Sequence, residues 1–196
     1  MKIFAGQYYI DENAGFWQGV SQGYSRFTKE ASQTNLGYLL SEGRNMLGFA
    51  DRVDYLGGAT FITNEEFSKP NCQGITLGSY INIDTTGTVG SGSFDNYVTH
   101  DPLYMHEYGH TIDSRIYGSN YIREIGIASL ISARFSKKYD YITKKGGTIT
   151  RWTHDTFWTE IRANVNAKNY FKKHYQVDWD AYIDEKSTIE DHLPTR

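Results

Sequence analysis

His106-Glu107-Tyr108-Gly109-His110, entered through Asp101-Pro102-Leu103-Tyr104-Met105 and continued by Thr111-Ile112-Asp113-Ser114-Arg115-Ile116-Tyr117-Gly118, is the stretch on which the reading of this chain turns. A helix turns about 100° per residue, so histidines at i and i+4 leave one face together and suit a single zinc ion. Glu107 then stands beside the metal, not on it. From there its carboxylate takes a proton from a metal-activated water, the general-base step of amide hydrolysis. The flanks predict the helix itself: Asp101 as N-cap, Pro102 at the first helical position and Gly118 as the stop. Between them Leu103, Met105, Tyr108, Ile112 and Ile116 make a partly apolar helix of about four turns. Gly109 costs about 1 kcal/mol relative to Ala in a helix interior, which predicts a neighbour packed closely against it. The competing reading of the two histidines is a polar groove with no metal.

A catalytic zinc takes three protein ligands and leaves a fourth position open. The extended motif with a third His six residues after His110 is excluded, because that position is Ile116. Asp113, one turn beyond His110, is suited to supporting a ligand histidine through its other ring nitrogen or to a surface charge. Downstream, the candidates are Glu124, His154, Asp155 and Glu160. Glu160 leads, in Trp158-Thr159-Glu160-Ile161-Arg162-Ala163-Asn164, at the head of a helix predicted from near Thr153 or Asp155 to about His174. Ala163 and Asn164 share its face; the small Ala lets two helices approach, and Asn164 is placed to hydrogen-bond a ligand histidine. The competing reading of Glu160 is a solvated helix carboxylate. Glu124 comes next, with Arg123 or Arg115 available to neutralise it. His154 and Tyr117 are the candidate donors for a tetrahedral oxyanion.

HExxH followed some fifty residues later by Glu-x-x-Ala-Asn resembles the gluzincin arrangement, in which two histidines and a glutamate from a second helix bind zinc. More specifically, His106 to Arg115, then Gly126-Ile127-Ala128-Ser129-Leu130-Ile131-Ser132-Ala133, then Phe157-Trp158-Thr159-Glu160, is similar to metallopeptidase domains at the C-terminal ends of bacterial Rhs/YD-repeat polymorphic-toxin proteins. The resemblance covers roughly Gly37 to Trp179. It implies a zincin-like domain with His106, His110 and Glu160 as ligands of one zinc, Glu107 as base, a peptide or protein substrate, and service as the toxin or effector part of a larger secreted polypeptide. Asn164 departs from the family pattern, which often carries Asp there.

Composition fits one compact domain over residues 1–196. A content of 39% hydrophobic and 15% aromatic residues lies far from the disordered range. The formal charge of −3 argues against nucleic acid, whose binders show a basic patch. One cysteine, Cys72, excludes an intramolecular disulfide and a Cys-rich metal site. No apolar stretch approaches the roughly 20 residues of a membrane span, and Met1 to Gln7 turns polar too soon for a signal peptide. Sixteen tyrosines suit either a polypeptide-binding groove or a core rim.

Outward from the motif, residues 1–30 are Gly-, Gln- and Tyr-rich and read as an irregular coat or entry segment. From Ala31 to Phe49, Leu36, Leu39, Leu40 and Leu47 recur at helical spacing and predict a core helix. Ala59 to Thr63, Ile75 to Leu77 and the alternating Tyr80 to Asp84 predict strands of a small sheet. Gly78 to Asp84 is the best candidate for an edge offered to an extended substrate, and the competing reading is an internal strand paired on both sides. Thr85 to Ser93, with Gly87, Gly90 and Gly92, predicts a loop, Ile122 to Phe135 a helix, and Lys144 to Thr148 a turn. The order is a small sheet in the N-terminal half followed by a helical half, which means α+β. Two other functions share this site: a zinc-binding but inactive peptide-interaction module, and an amidase acting on a non-protein amide such as cell wall.

Overall fold

The computed structural model describes residues 2–65, 73–86, 92–142 and 148–178, and the architecture is α+β. Three helices come first, α1 (Lys2–Ala5), α2 (Phe16–Phe27) and α3 (Ala31–Met46), followed by β1 (Arg52–Leu56), β2 (Ala59–Asn64), β3 (Gln73–Leu77) and β4 (Tyr80–Asp84). Helices α4 (Phe94–Val98) and α5 (Pro102–Tyr117) follow. A 3₁₀ turn (Gly118–Asn120) and a π turn (Ile122–Gly126) then lead into α6 (Ile127–Arg134). A hairpin of β5 (Lys138–Ile142) and β6 (Thr148–Trp152) precedes α7 (Trp158–Tyr175). Among the described residues no helix is long and apolar enough to cross a membrane.

The four-stranded sheet has the order β1-β2-β4-β3, with β2 and β4 parallel and the outer pairs antiparallel. Gly57 and Gly58, at φ 60° and 78°, make the two-residue turn between β1 and β2, which needs positive φ at both positions. Side chains alternate across a strand, and β4 uses both faces. Ile81 and Ile83 join Phe61, Tyr104, Met105, Tyr108, Ala167 and Phe171 in the main core beneath α5 and α7. Tyr80 packs with Ile3, Ile62 and Tyr38 on the opposite face, and Asn82 there donates to Ser41 Oγ at 3.0 Å. Helices α3 and α5 therefore cover opposite faces.

The predicted start and stop of α5 hold. Asp101 Oδ1 accepts from Leu103 N at 2.9 Å, Pro102 follows, and Gly118 ends the helix at φ 53°. Close packing at Gly109 holds as well: a Cβ there would stand 1.9 Å from the Ala163 carbonyl oxygen of α7.

Several expectations are corrected. Residues 1–30 are not irregular, since α1 and α2 lie within them; Arg26 of α2 donates to the carbonyls of Gly6, Tyr9 and Gly58 and ties this segment to the sheet. Helix α3 forms over nearly the predicted span but is turned the other way. Its buried face is Gln33, Thr34, Gly37 and Ser41, while Leu36 and Leu39 are exposed. The close approach explains this, for a Cβ on Gly37 would meet the Leu77 carbonyl oxygen at 2.2 Å. Strand β4 is internal, paired on both sides, so the edge strand on that side of the sheet is β3, with β1 at the opposite edge. The glutamate helix starts at Trp158, because Trp152 N donates to Asp155 Oδ2 and Phe157 N to His154 O, turning the chain first. Strands β1, β5 and β6 were not foreseen. The loop at 85–93 lies partly, and the turn at 144–148 mostly, outside the described residues, as does Cys72.

Candidate metal centre

Helices α5 and α7 cross where Gly109 meets Ala163, and that contact brings Glu160 over the two histidines. Glu160 Oε2 lies 3.1 Å from His106 Nε2 and 3.2 Å from His110 Nε2. One ligand atom from each of the three residues lies within 4.8 Å of the others, so the group can hold a metal ion. Ligands at about 2.0–2.1 Å from a tetrahedral zinc stand about 3.3–3.4 Å apart, close to the separations found. Glu160 and His110 are buried and His106 is partly open.

The tautomers support a cation at this point. Asn164 Oδ1 lies 2.7 Å from His106 Nδ1. An amide oxygen only accepts, so Nδ1 carries the hydrogen and donates. A neutral ring then turns its Nε2 lone pair toward the Glu160 carboxylate, another acceptor. Only a proton or a metal ion resolves that pairing. In the protein without metal the proton does so. Burial opposes charge on His106, but the Glu160 hydrogen bond and the Glu107 and Glu160 charges prevail and push its pKa up to about 9. Burial likewise opposes charge on Glu160, and the His106 and His110 hydrogen bonds overcome it, holding that carboxyl far below the usual range.

Glu160 is held from behind. Ser129 Oγ of α6 donates to its Oε1 at 2.7 Å, and Thr159 Oγ1 donates to the same oxygen at 2.8 Å. Oε2 is thereby left to the histidines. Glu107 lies under the edge strand: its Oε2 accepts from Thr76 Oγ1 at 2.7 Å, and a Cβ on Gly74 would come within 2.4 Å of its carboxyl carbon. The bare backbone of Gly74 thus makes room for the carboxylate. Tyr121, fully packed, donates to the Thr76 carbonyl at 3.2 Å and fixes the strand.

The remaining predicted residues are spread more widely. His154 reaches the cluster, with Nε2 3.7 Å from Glu160 Oε2 and Nδ1 3.2 Å from Ser132 Oγ, and its side chain is 24% exposed. Tyr117 does not reach it; the Arg162 guanidinium lies over its ring at 5.0 Å. Asp113 is buried and accepts from Arg162 and Asn166, both at 2.9 Å, so it links α5 to α7, and among the described residues no hydrogen bond reaches His110 Nδ1. Glu124 pairs with Arg123 at the surface. Sequence reasoning missed Gly74, Thr76, Tyr121, Ser129 and Thr159. Of these Thr159 alone adjoins a candidate residue; the others carry no spacing signal.

No family model matches the chain, and neither a curated protein nor a solved structure matches it. The functional reading therefore rests on the site.

Proposed function

We propose that this chain is a zinc-dependent peptidase that uses Glu107 as general base. The observation that carries the reading is the meeting of His106, His110 and Glu160 at one point, with Glu107 on the same helix and the edge strand β3 laid against it. The donor set is two imidazoles and one carboxylate, a set that catalytic zinc uses with a fourth position open. A zinc ion held there supplies Lewis acidity, lowering the pKa of a bound water and polarising a carbonyl.

The chain's own groups do the rest. Asn164 sets the His106 tautomer. Ser129 and Thr159 orient the Glu160 carboxylate. Glu107, aimed by Thr76, takes the proton from the attacking water and passes it to the leaving amine. His154, on the exposed side of Glu160, is the group placed to donate to the developing oxyanion. An extended peptide added to β3 at Gly74, short of the Thr76 carbonyl that Tyr121 already occupies, would present its backbone beside Glu107, with main-chain hydrogen bonds giving affinity without strict sequence demands. Service as a toxin domain, which the sequence resemblance implies, would use this same chemistry.

Cleavage of unfolded protein substrates by zinc-loaded wild type, against Glu107→Gln, tests this. The variant should keep its metal and lose activity by at least about 100-fold, the lower end of what general-base catalysis contributes. Equal cleavage by the two proteins, or none by either with a full complement of metal, contradicts the reading. Cleavage of peptidoglycan fragments alone would move the activity to a non-protein amide.

A further inference from the structure

Helix α2 is built outside in. Its inner face carries Gly19, Gln22, Ser25 and Arg26, while Phe16, Trp17, Val20, Tyr24 and Phe27 form one stripe facing out. Phe16, Trp17 and Tyr24 are 75%, 79% and 69% exposed. This orientation is pinned. Gln22 Oε1 accepts from Asp11 N at 2.7 Å, and the buried Arg26 guanidinium serves the carbonyls of Gly6, Tyr9 and Gly58. Rolling the aromatics inward would strand that guanidinium, and leaving a buried polar group unsatisfied is expensive. The stripe runs on through ring contacts Phe27–Tyr8 at 5.7 Å, Tyr8–Phe4 at 5.6 Å and Phe4–Tyr38 at 6.1 Å, which lead to α3 and its exposed Leu39.

We propose that this stripe is the interface through which two copies of the chain associate, α2 against α2 about a two-fold axis. Three observations select a second copy. The first is area. With aromatic side chains of about 150–250 Å² each, the exposure of these residues puts on the order of 600 Å² of apolar surface on α2 alone. A standard interface takes roughly 800 Å² from each partner, and the continuation towards α3 supplies the remainder. The second is charge. In a two-fold interface each residue near the axis meets its own copy, so a charge there would face itself. The only charged residue within α2 is Arg26, which is turned inward. The third is composition, since homodimer interfaces are more apolar than the general surface whereas transient interfaces with other proteins are not. A lipid surface is the poorer fit: helices that lie on membranes carry Lys and Arg on their polar face, and the polar face of α2 is spent on the protein. Neither α2 nor α3 hydrogen-bonds His106, His110 or Glu160, so association leaves the metal group intact.

Sedimentation velocity on the full chain over a concentration series tests this, with Trp17→Lys/Tyr24→Lys as the variant and flotation with phosphatidylcholine vesicles alongside. The wild type should pass from monomer to dimer as concentration rises. The variant should stay monomeric throughout, with an unchanged far-ultraviolet circular dichroism spectrum and unchanged metal content. A wild type that remains monomeric at every concentration overturns the proposal. So does a folded variant that dimerises as the wild type does. A wild type that is monomeric in solution but floats with vesicles would assign the stripe to lipid instead. Should the double variant not fold, Phe16→Glu, at the first residue of α2, replaces it with the same expected result.

Discussion

Asn164 and Ser129 touch the His106–His110–Glu160 group from opposite ends, one at a histidine's far nitrogen and one at the carboxylate's far oxygen. Groups in such positions fix ligand orientation, and their loss typically weakens metal binding by about 10- to 100-fold. Asn164→Ala and Ser129→Ala should each show a loss of that size in zinc affinity measured by chelator competition, with the fold retained; affinities equal to wild type would show that neither group orients a ligand. Asn164 was legible because it lies four residues after Glu160 on one helix face. Ser129 was not, because it comes from a different segment and meets Glu160 only in three dimensions. The raised pKa of His106 gives a pH dependence. Its ordinary value is 6.5 and its folded value about 9. Between these the folded protein holds a proton that the unfolded chain has lost, so the contribution is full below pH 6.5 and disappears as pH rises through about 9. The melting temperature of metal-free protein should fall over that window in wild type and fall less in Glu160→Gln. Parallel profiles for the two would show that the pairing contributes nothing. Metal must displace the same proton, so zinc affinity should rise with pH up to about 9.

The crossing of α5 and α7 depends on a missing side chain. Gly109 lets the Ala163 carbonyl approach to where its Cβ would be, and the crossing carries Glu160 to the histidines. Forcing a methyl into such a contact costs about 1–3 kcal/mol. Gly109→Ala should therefore lower the unfolding free energy by that amount, read as a lower denaturation midpoint, and weaken zinc binding, as the helices part. An unchanged midpoint would mean that the crossing is loose. Helix α5 could be read from sequence because its cap, proline and stop all agree with its apolar spacing. Helix α3 shows the limit of such reading. Periodicity tells which residues share a face, but not which face is buried. There the small face of Thr34, Gly37 and Ser41 packs on the sheet because it permits a closer approach than the leucines would. Strand β1 escaped notice for a similar reason: Arg52 and Asp54 alternate with Val53 and Tyr55 on a half-buried edge, and pairing with β2 makes it a strand.

Across the molecule, α3 covers one face of the sheet, while α5, backed by α7, covers the other, turns its histidines to Glu160 of α7 and holds Glu107 beside the edge strand β3. The α+β order was legible because strand-period and helix-period stretches occupy separate halves of the chain. The strand order was not, since β4 inserts between β2 and β3 by long-range pairing that leaves no local mark. The strand at that edge of the sheet is accordingly Gln73–Leu77 and not Gly78–Asp84. The proposed function stands on a metal shared by two helices, and elemental analysis of purified wild type and Glu160→Ala, prepared side by side without chelator, decides whether that metal is there. About one zinc per wild-type chain is expected, and little or none in the variant. A wild type without tightly held metal, or a variant that keeps a full complement, would contradict the proposed function.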